Sequence, residues 1–162
     1  MGSQPPAAAA AGSAPPRALD AAAVRQVLPH GEEAVLVDHV PWLEPGREAI
    51  GVLRPLGELR TGVPRPPDGT VPPLLLLEAA AQLAGLVIAP LAGPLAGPIP
   101  AWLAGARDFR FPAPAPAGLP LTACVRIERR VGRLVYAHAR CHAGATVCAE
   151  GTVMVAVVPG EG

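Results

Sequence analysis

The chain has 162 residues, 51% of them hydrophobic and only 16% charged, which excludes wholesale disorder and fits one domain with one core. Thirteen basic and thirteen acidic residues cancel, so there is no global electrostatic footprint for nucleic acid. Every basic residue is arginine, which excludes lysine Schiff-base chemistry.

In chain order, residues 1–18 are rich in Ala and Pro and are expected to form a disordered tail. They lack the charged start of a secretory signal. A single domain is expected over 19–159. Asp20 is placed to cap a short helix over Ala21–Leu28, with Val24, Val27 and Leu28 on one face, and Pro29 stops it. Ala34–Val40 reads as a buried strand, Glu44-Pro45-Gly46-Arg47 as a turn, and Glu48–Leu53 as the second strand of a hairpin. The stretch Gly62–Pro73 holds five prolines and reads as a loop, with Asp68 before Gly69 as a turn residue.

Leu74–Ala89 is the longest helical pattern and is apolar nearly all round, so it should be buried on most sides. Glu78 and Gln82 interrupt its apolar run, and no membrane span is expected. After a second Pro/Gly loop at Pro90–Pro100 come strands over Trp102–Phe111, Leu121–Arg129, Leu134–His142 and Thr146–Val158. The result is an α+β fold, an antiparallel sheet wrapped around one long central apolar helix. Its edge strands need cover, and pairing across a two-fold axis supplies it. Cys124, Cys141 and Cys148 have no metal-ligand spacing, so a reduced, cytoplasmic chain without metal or cofactor is expected.

Several segments taken together resemble the β-hydroxyacyl-[acyl carrier protein] dehydratases. They are Leu28-Pro29-His30, Leu36-Val37-Asp38-His39-Val40, Pro45-Gly46, the helix segment Leu75-Leu-Leu-Glu78-Ala-Ala-Ala-Gln82-Leu-Ala-Gly85, and Arg107-Asp-Phe-Arg110-Phe-Pro112. The resemblance implies the hot-dog fold, usually a dimer with a continuous sheet. It also implies an acyl chain carried on acyl carrier protein as substrate, and a site shared between two subunits. Glu78 falls on the family's catalytic carboxylate, with Gln82 one turn on and on the same face. An acyl tunnel along the helix is expected to be lined by Leu75, Leu76 and Leu83, with Gln82 a further substrate contact.

Dehydration of a β-hydroxyacyl thioester needs a base for the proton beside the carbonyl. It also needs an acid for the leaving hydroxyl and a donor that polarises the carbonyl. The family's histidine lies 14 residues before the carboxylate, where this chain has Pro64. Its carbonyl-polarising glycine lies five residues before, where this chain has Pro73, which has no N–H. No histidine occurs between His39 and His138, and the chain is expected to lack an imidazole beside Glu78.

The loop Asp68-Gly-Thr-Val-Pro72 resembles a divergent branch from aryl polyene and polyene-type pathways, in which such chains act beside a second dehydratase subunit. That implies a chain inactive alone, contributing Glu78 to a site completed by a His-bearing partner. Two alternatives stay open: a non-catalytic acyl-binding or scaffolding subunit with a structural Glu78, and an acyl thioesterase. His30, after a helix-stopping proline, reads as a structural histidine. His138 and His142 share an outward strand face with Tyr136 and Arg140.

Overall fold

The computed structural model describes residues 15–55, 64, 66–89 and 101–157. Most of the expected tail, the Pro90–Pro100 loop, and Gly62, Val63 and Arg65 of the Gly62–Pro73 loop lie outside these. The chain order is β1 (Arg17–Leu19), α1 (Ala21–Val27), a 3-10 turn (Glu32–Ala34), β2 (Val37–Glu44), β3 (Glu48–Leu53), α2 (Pro73–Ile88), β4 (Ala101–Arg110), β5 (Leu121–Val131), β6 (Leu134–Ala143) and β7 (Thr146–Val157). All pairings are antiparallel, in the order β1-β2-β3-β5-β6-β7-β4.

Local chemistry accounts for most of these elements. The Asp20 side chain accepts a 2.8 Å bond from the Ala23 N–H and so caps α1. Val24, Val27 and Leu28 are buried on one face, as expected. Gly46 takes a φ of 74° in the β2–β3 turn, a conformation that costs glycine little. The helix α2 has 16 residues and touches β2, β3, β4, β5, β6 and β7. The sheet therefore curls about it, and Leu75, Leu76, Ala79, Ala80, Leu83, Ala84 and Leu86 join the hydrophobic core.

Two differences from the sequence reading stand out. Arg17–Leu19 pairs with β2, so a strand falls at the end of the segment read as tail. The strand expected over Ala34–Val40 instead starts at Val37 and runs on through Pro41 to Glu44. Pro41 has no N–H to give, but it sits where the β2–β3 register shifts between His39 and Trp42. An irregularity of that kind accommodates proline within a strand.

The outer face of the sheet is charged and internally paired. Glu150 accepts bonds of 2.6 Å from both Arg140 and Arg110, and these hold its carboxyl below the usual range. A carboxyl whose folded value is lowered stabilises the fold above its unfolded value, and that stability is lost as pH falls through the lowered one. Glu150→Gln should therefore lower the thermal midpoint at neutral pH. In melts at descending pH the gap to wild type should close below about pH 4, as the wild-type carboxyl protonates.

β4 pairs only with β7. Its other edge is unpaired among the described residues, and it carries Trp102 at 63% exposure and Leu103 at 40%. The first half of this edge, Ala101–Ala106, carries no charge, and such an edge is a surface for another sheet. No helix among the described residues is long and apolar enough to cross a membrane.

Candidate active site

Glu78 lies one turn into α2. Its carboxylate opens into a cavity of about 210 Å³ lined by Val27, Leu28, His30, Gln82, Gly85 and Trp102 among others. The helix contributes Glu78, Ala81, Gln82 and Gly85, a spacing that sets all four on one face. α1 and the turn after it supply the opposite wall, and the start of β4 supplies the rim.

Gln82 ties this wall to the helix. Its Oε1 accepts the buried Leu36 N–H at 2.8 Å, and its Nε2 donates to the Ala34 carbonyl at 2.8 Å. These two partners fix which end of the amide faces which way. The same Nε2 donates to Glu78 Oε1 at 3.1 Å. One side chain thus anchors the segment that follows His30 and orients the carboxylate. Gln82 is 2% exposed, a buried amide whose polar atoms are satisfied.

The tether brings His30 to the site. Its Nε2 stands 3.3 Å from Glu78 Oε1, with the two side chains 29% and 36% exposed. This corrects the expectation that no imidazole stands near Glu78. That expectation counted back along the chain from the carboxylate, whereas His30 arrives through space from the end of α1. The other histidines are elsewhere: His39 bonds Asp38, and His138 and His142 lie on β6, with His138 near Glu150.

The carbonyl-polarising donor is absent at the expected place. Pro72 caps α2 and Pro73 is its first residue, and neither has an N–H. The preceding loop is held to the rest of the fold by Val71 N–H to the Ala115 carbonyl at 2.8 Å. Asp68 accepts from Thr70 N and Oγ1 at 3.1 and 2.7 Å and so serves as the turn residue the sequence suggested.

Glu78 and Gln82 are brought together as expected, but Leu75, Leu76 and Leu83 are not with them. All three are buried in the core, and none lines the cavity. An all-round apolar helix gives no phase, so the sequence did not say which of its residues face the open side. The small residues Ala81 and Gly85 do. The Leu28-Pro29-His30 signature was the available signal for His30. Among the described residues no cluster fit to hold a metal occurs.

Gly85 is a helix-interior glycine, and a Cβ there would meet nothing within 4 Å. Gly85→Ala should raise stability by about 1 kcal/mol, the helix-propensity difference, as read by urea melts. Gly85→Phe should fill the cavity.

No protein-family model matches the chain. Over 133 residues the chain is 33% identical to the 3-hydroxyacyl-[acyl-carrier-protein] dehydratase FabZ of Herpetosiphon aurantiacus, covering 82% of this chain and 93% of the relative. A FabZ of the same description from Syntrophotalea carbinolica is 32% identical over 96 residues, covering 59% and 65%. Among solved structures, the dehydratase heterocomplex ApeI:P from Xenorhabdus doucetiae matches with a TM-score of 0.71 at 17% identity, covering 83% of this chain and 90% of that one. This likeness establishes the shared fold.

Proposed function

The chain belongs to the 3-hydroxyacyl-[acyl-carrier-protein] dehydratase family, and we propose that it is a dehydratase subunit acting on β-hydroxyacyl chains held on acyl carrier protein. The pathway is of polyketide or fatty-acid type, and it runs in the cytoplasm. Glu78 handles the proton at the leaving hydroxyl. The observation that carries this reading is its carboxylate, anchored by Gln82 and opening into an apolar cavity. The carboxylate accepts from Gln82 Nε2 at 3.1 Å, and His30 Nε2 stands 3.3 Å from the same oxygen.

The same reading makes the chain half of a mixed complex. Elimination builds negative charge on the thioester oxygen, and a backbone N–H aimed at that oxygen is worth orders of magnitude in rate. Pro73 cannot supply one. A second hot-dog dehydratase subunit bearing the family's histidine is to provide that donor and the base for the proton beside the carbonyl. The edge of β4 that has no partner strand among the described residues, with Trp102 and Leu103 exposed, is where its sheet continues this one.

The test uses 3-hydroxybutyryl carrier protein. The chain alone leaves it unchanged, and a mixture with a His-bearing family subunit removes one water, read by intact-protein mass. Turnover by the isolated chain at an ordinary rate contradicts the mixed complex. A mixture no faster than the partner alone contradicts the dehydratase role.

A further inference from the structure

We infer that His30 is a positioning residue for Glu78, holding one carboxylate oxygen through its Nε2–H so that the other works on the bound chain. The inference rests on the dehydratase reading above. Two nitrogens converge on Glu78 Oε1: Gln82 Nε2 at 3.1 Å and His30 Nε2 at 3.3 Å. Among the described residues Oε2 has no hydrogen-bond partner. Both nitrogens stand on the Oε1 side of the carboxylate, which leaves Oε2 for proton transfer.

The second nitrogen of the imidazole decides which proton His30 carries. Nδ1 is buried and has no partner. A buried N–H without an acceptor costs about 1–3 kcal/mol, so a proton at Nδ1 is disfavoured. The neutral ring keeps its single proton on Nε2, the nitrogen facing Glu78. At 3.3 Å the two atoms are within reach but the ring N–H is not aligned into a hydrogen bond in the unliganded site. Such contacts in unliganded sites shorten when substrate fills the cavity.

The backbone around His30 suits this task. Pro29 has a fixed φ, and downstream the Ala34 and Leu36 backbone groups are bonded to Gln82. The backbone that carries the ring is therefore constrained on both sides in sequence. The grip works whether Glu78 is ionised or protonated, because Oε1 accepts in either state while Oε2 takes or gives the proton.

The test has two arms. In the mixed complex with a His-bearing family subunit and 3-hydroxybutyryl carrier protein, His30→Phe should lower kcat on the order of 10- to 100-fold, the scale of a misplaced reacting group. KM should stay within about twofold, since the acyl contacts remain. His30→Gln, which restores a side-chain N–H, should recover most of the loss. A purely structural histidine would lower the thermal midpoint and leave kcat unchanged in the folded fraction, and that result overturns the inference.

The second arm needs no turnover. In the full chain labelled with nitrogen-15 at histidine, the His30 ring should show a protonated Nε2 and a bare Nδ1, and Glu78→Gln should shift the Nε2 signal. A proton found on Nδ1, or a signal indifferent to Glu78→Gln, also overturns it. If the wild-type mixture does not dehydrate at all, the dehydratase reading falls, and the ring spectrum still decides whether His30 holds Glu78.

Discussion

Glu78→Gln in the mixed complex is expected to cut kcat by on the order of 10²- to 10⁴-fold, the usual contribution of a positioned acid or base. The change is nearly isosteric. The amide oxygen can still accept from Gln82, so the local fold and the assembly should survive. What disappears is a group able to exchange a proton with the leaving hydroxyl. Rate measurements on 3-hydroxybutyryl carrier protein, alongside the mass of the complex, separate this account from a scaffold. A scaffolding subunit with a structural Glu78 would assemble and support turnover unchanged.

The second large effect is on stability. Gln82→Leu should destabilise the chain by roughly 2–4 kcal/mol: it strands the buried Leu36 N–H and removes the bond to the Ala34 carbonyl. For a domain of this size that is a fall in thermal midpoint of roughly 5–15 °C. Activity in the mixed complex should fall further than the folded fraction alone explains. The same substitution frees the segment that carries His30 and removes one of the two nitrogens on Glu78 Oε1. A melt within about a degree of wild type contradicts the role assigned to Gln82.

Much of the fold was legible because its signals are local. Asp20 before an apolar face, the Pro-Gly turn at Gly46 and the alternation along Leu121–Arg129 each reflect chemistry within a few residues. The hairpins followed from these, and α2 from the long apolar run of Leu74–Ala89. The strand Arg17–Leu19 was not legible, since three residues carry no periodicity and its partner is β2. The passage of β2 through Pro41 depends on a register shift set by the neighbouring strand.

The site divides in the same way. Glu78 and Gln82 were legible, because a carboxyl and an amide one turn apart interrupt an otherwise apolar helix. The cavity wall was not: Leu75, Leu76 and Leu83 are as apolar as Val27 and Leu28, and only packing sorts core from lining. His30 reads as structural from sequence because the Leu28-Pro29-His30 signature does not say what the ring faces. Its place beside Glu78 comes from Gln82 reaching the backbone of residues 34 and 36, a contact between segments far apart in sequence.

The account stands or falls on this chain donating the Glu78 half of a shared dehydration site. The most direct measurement titrates the chain into a fixed amount of a His-bearing family subunit and follows water loss from 3-hydroxybutyryl carrier protein. Dehydration should climb with added wild-type chain and level off at equimolar ratio, and the Glu78→Gln chain should saturate at the same ratio with little rate. A rate independent of added chain, or equal plateaus for the two chains, would contradict it.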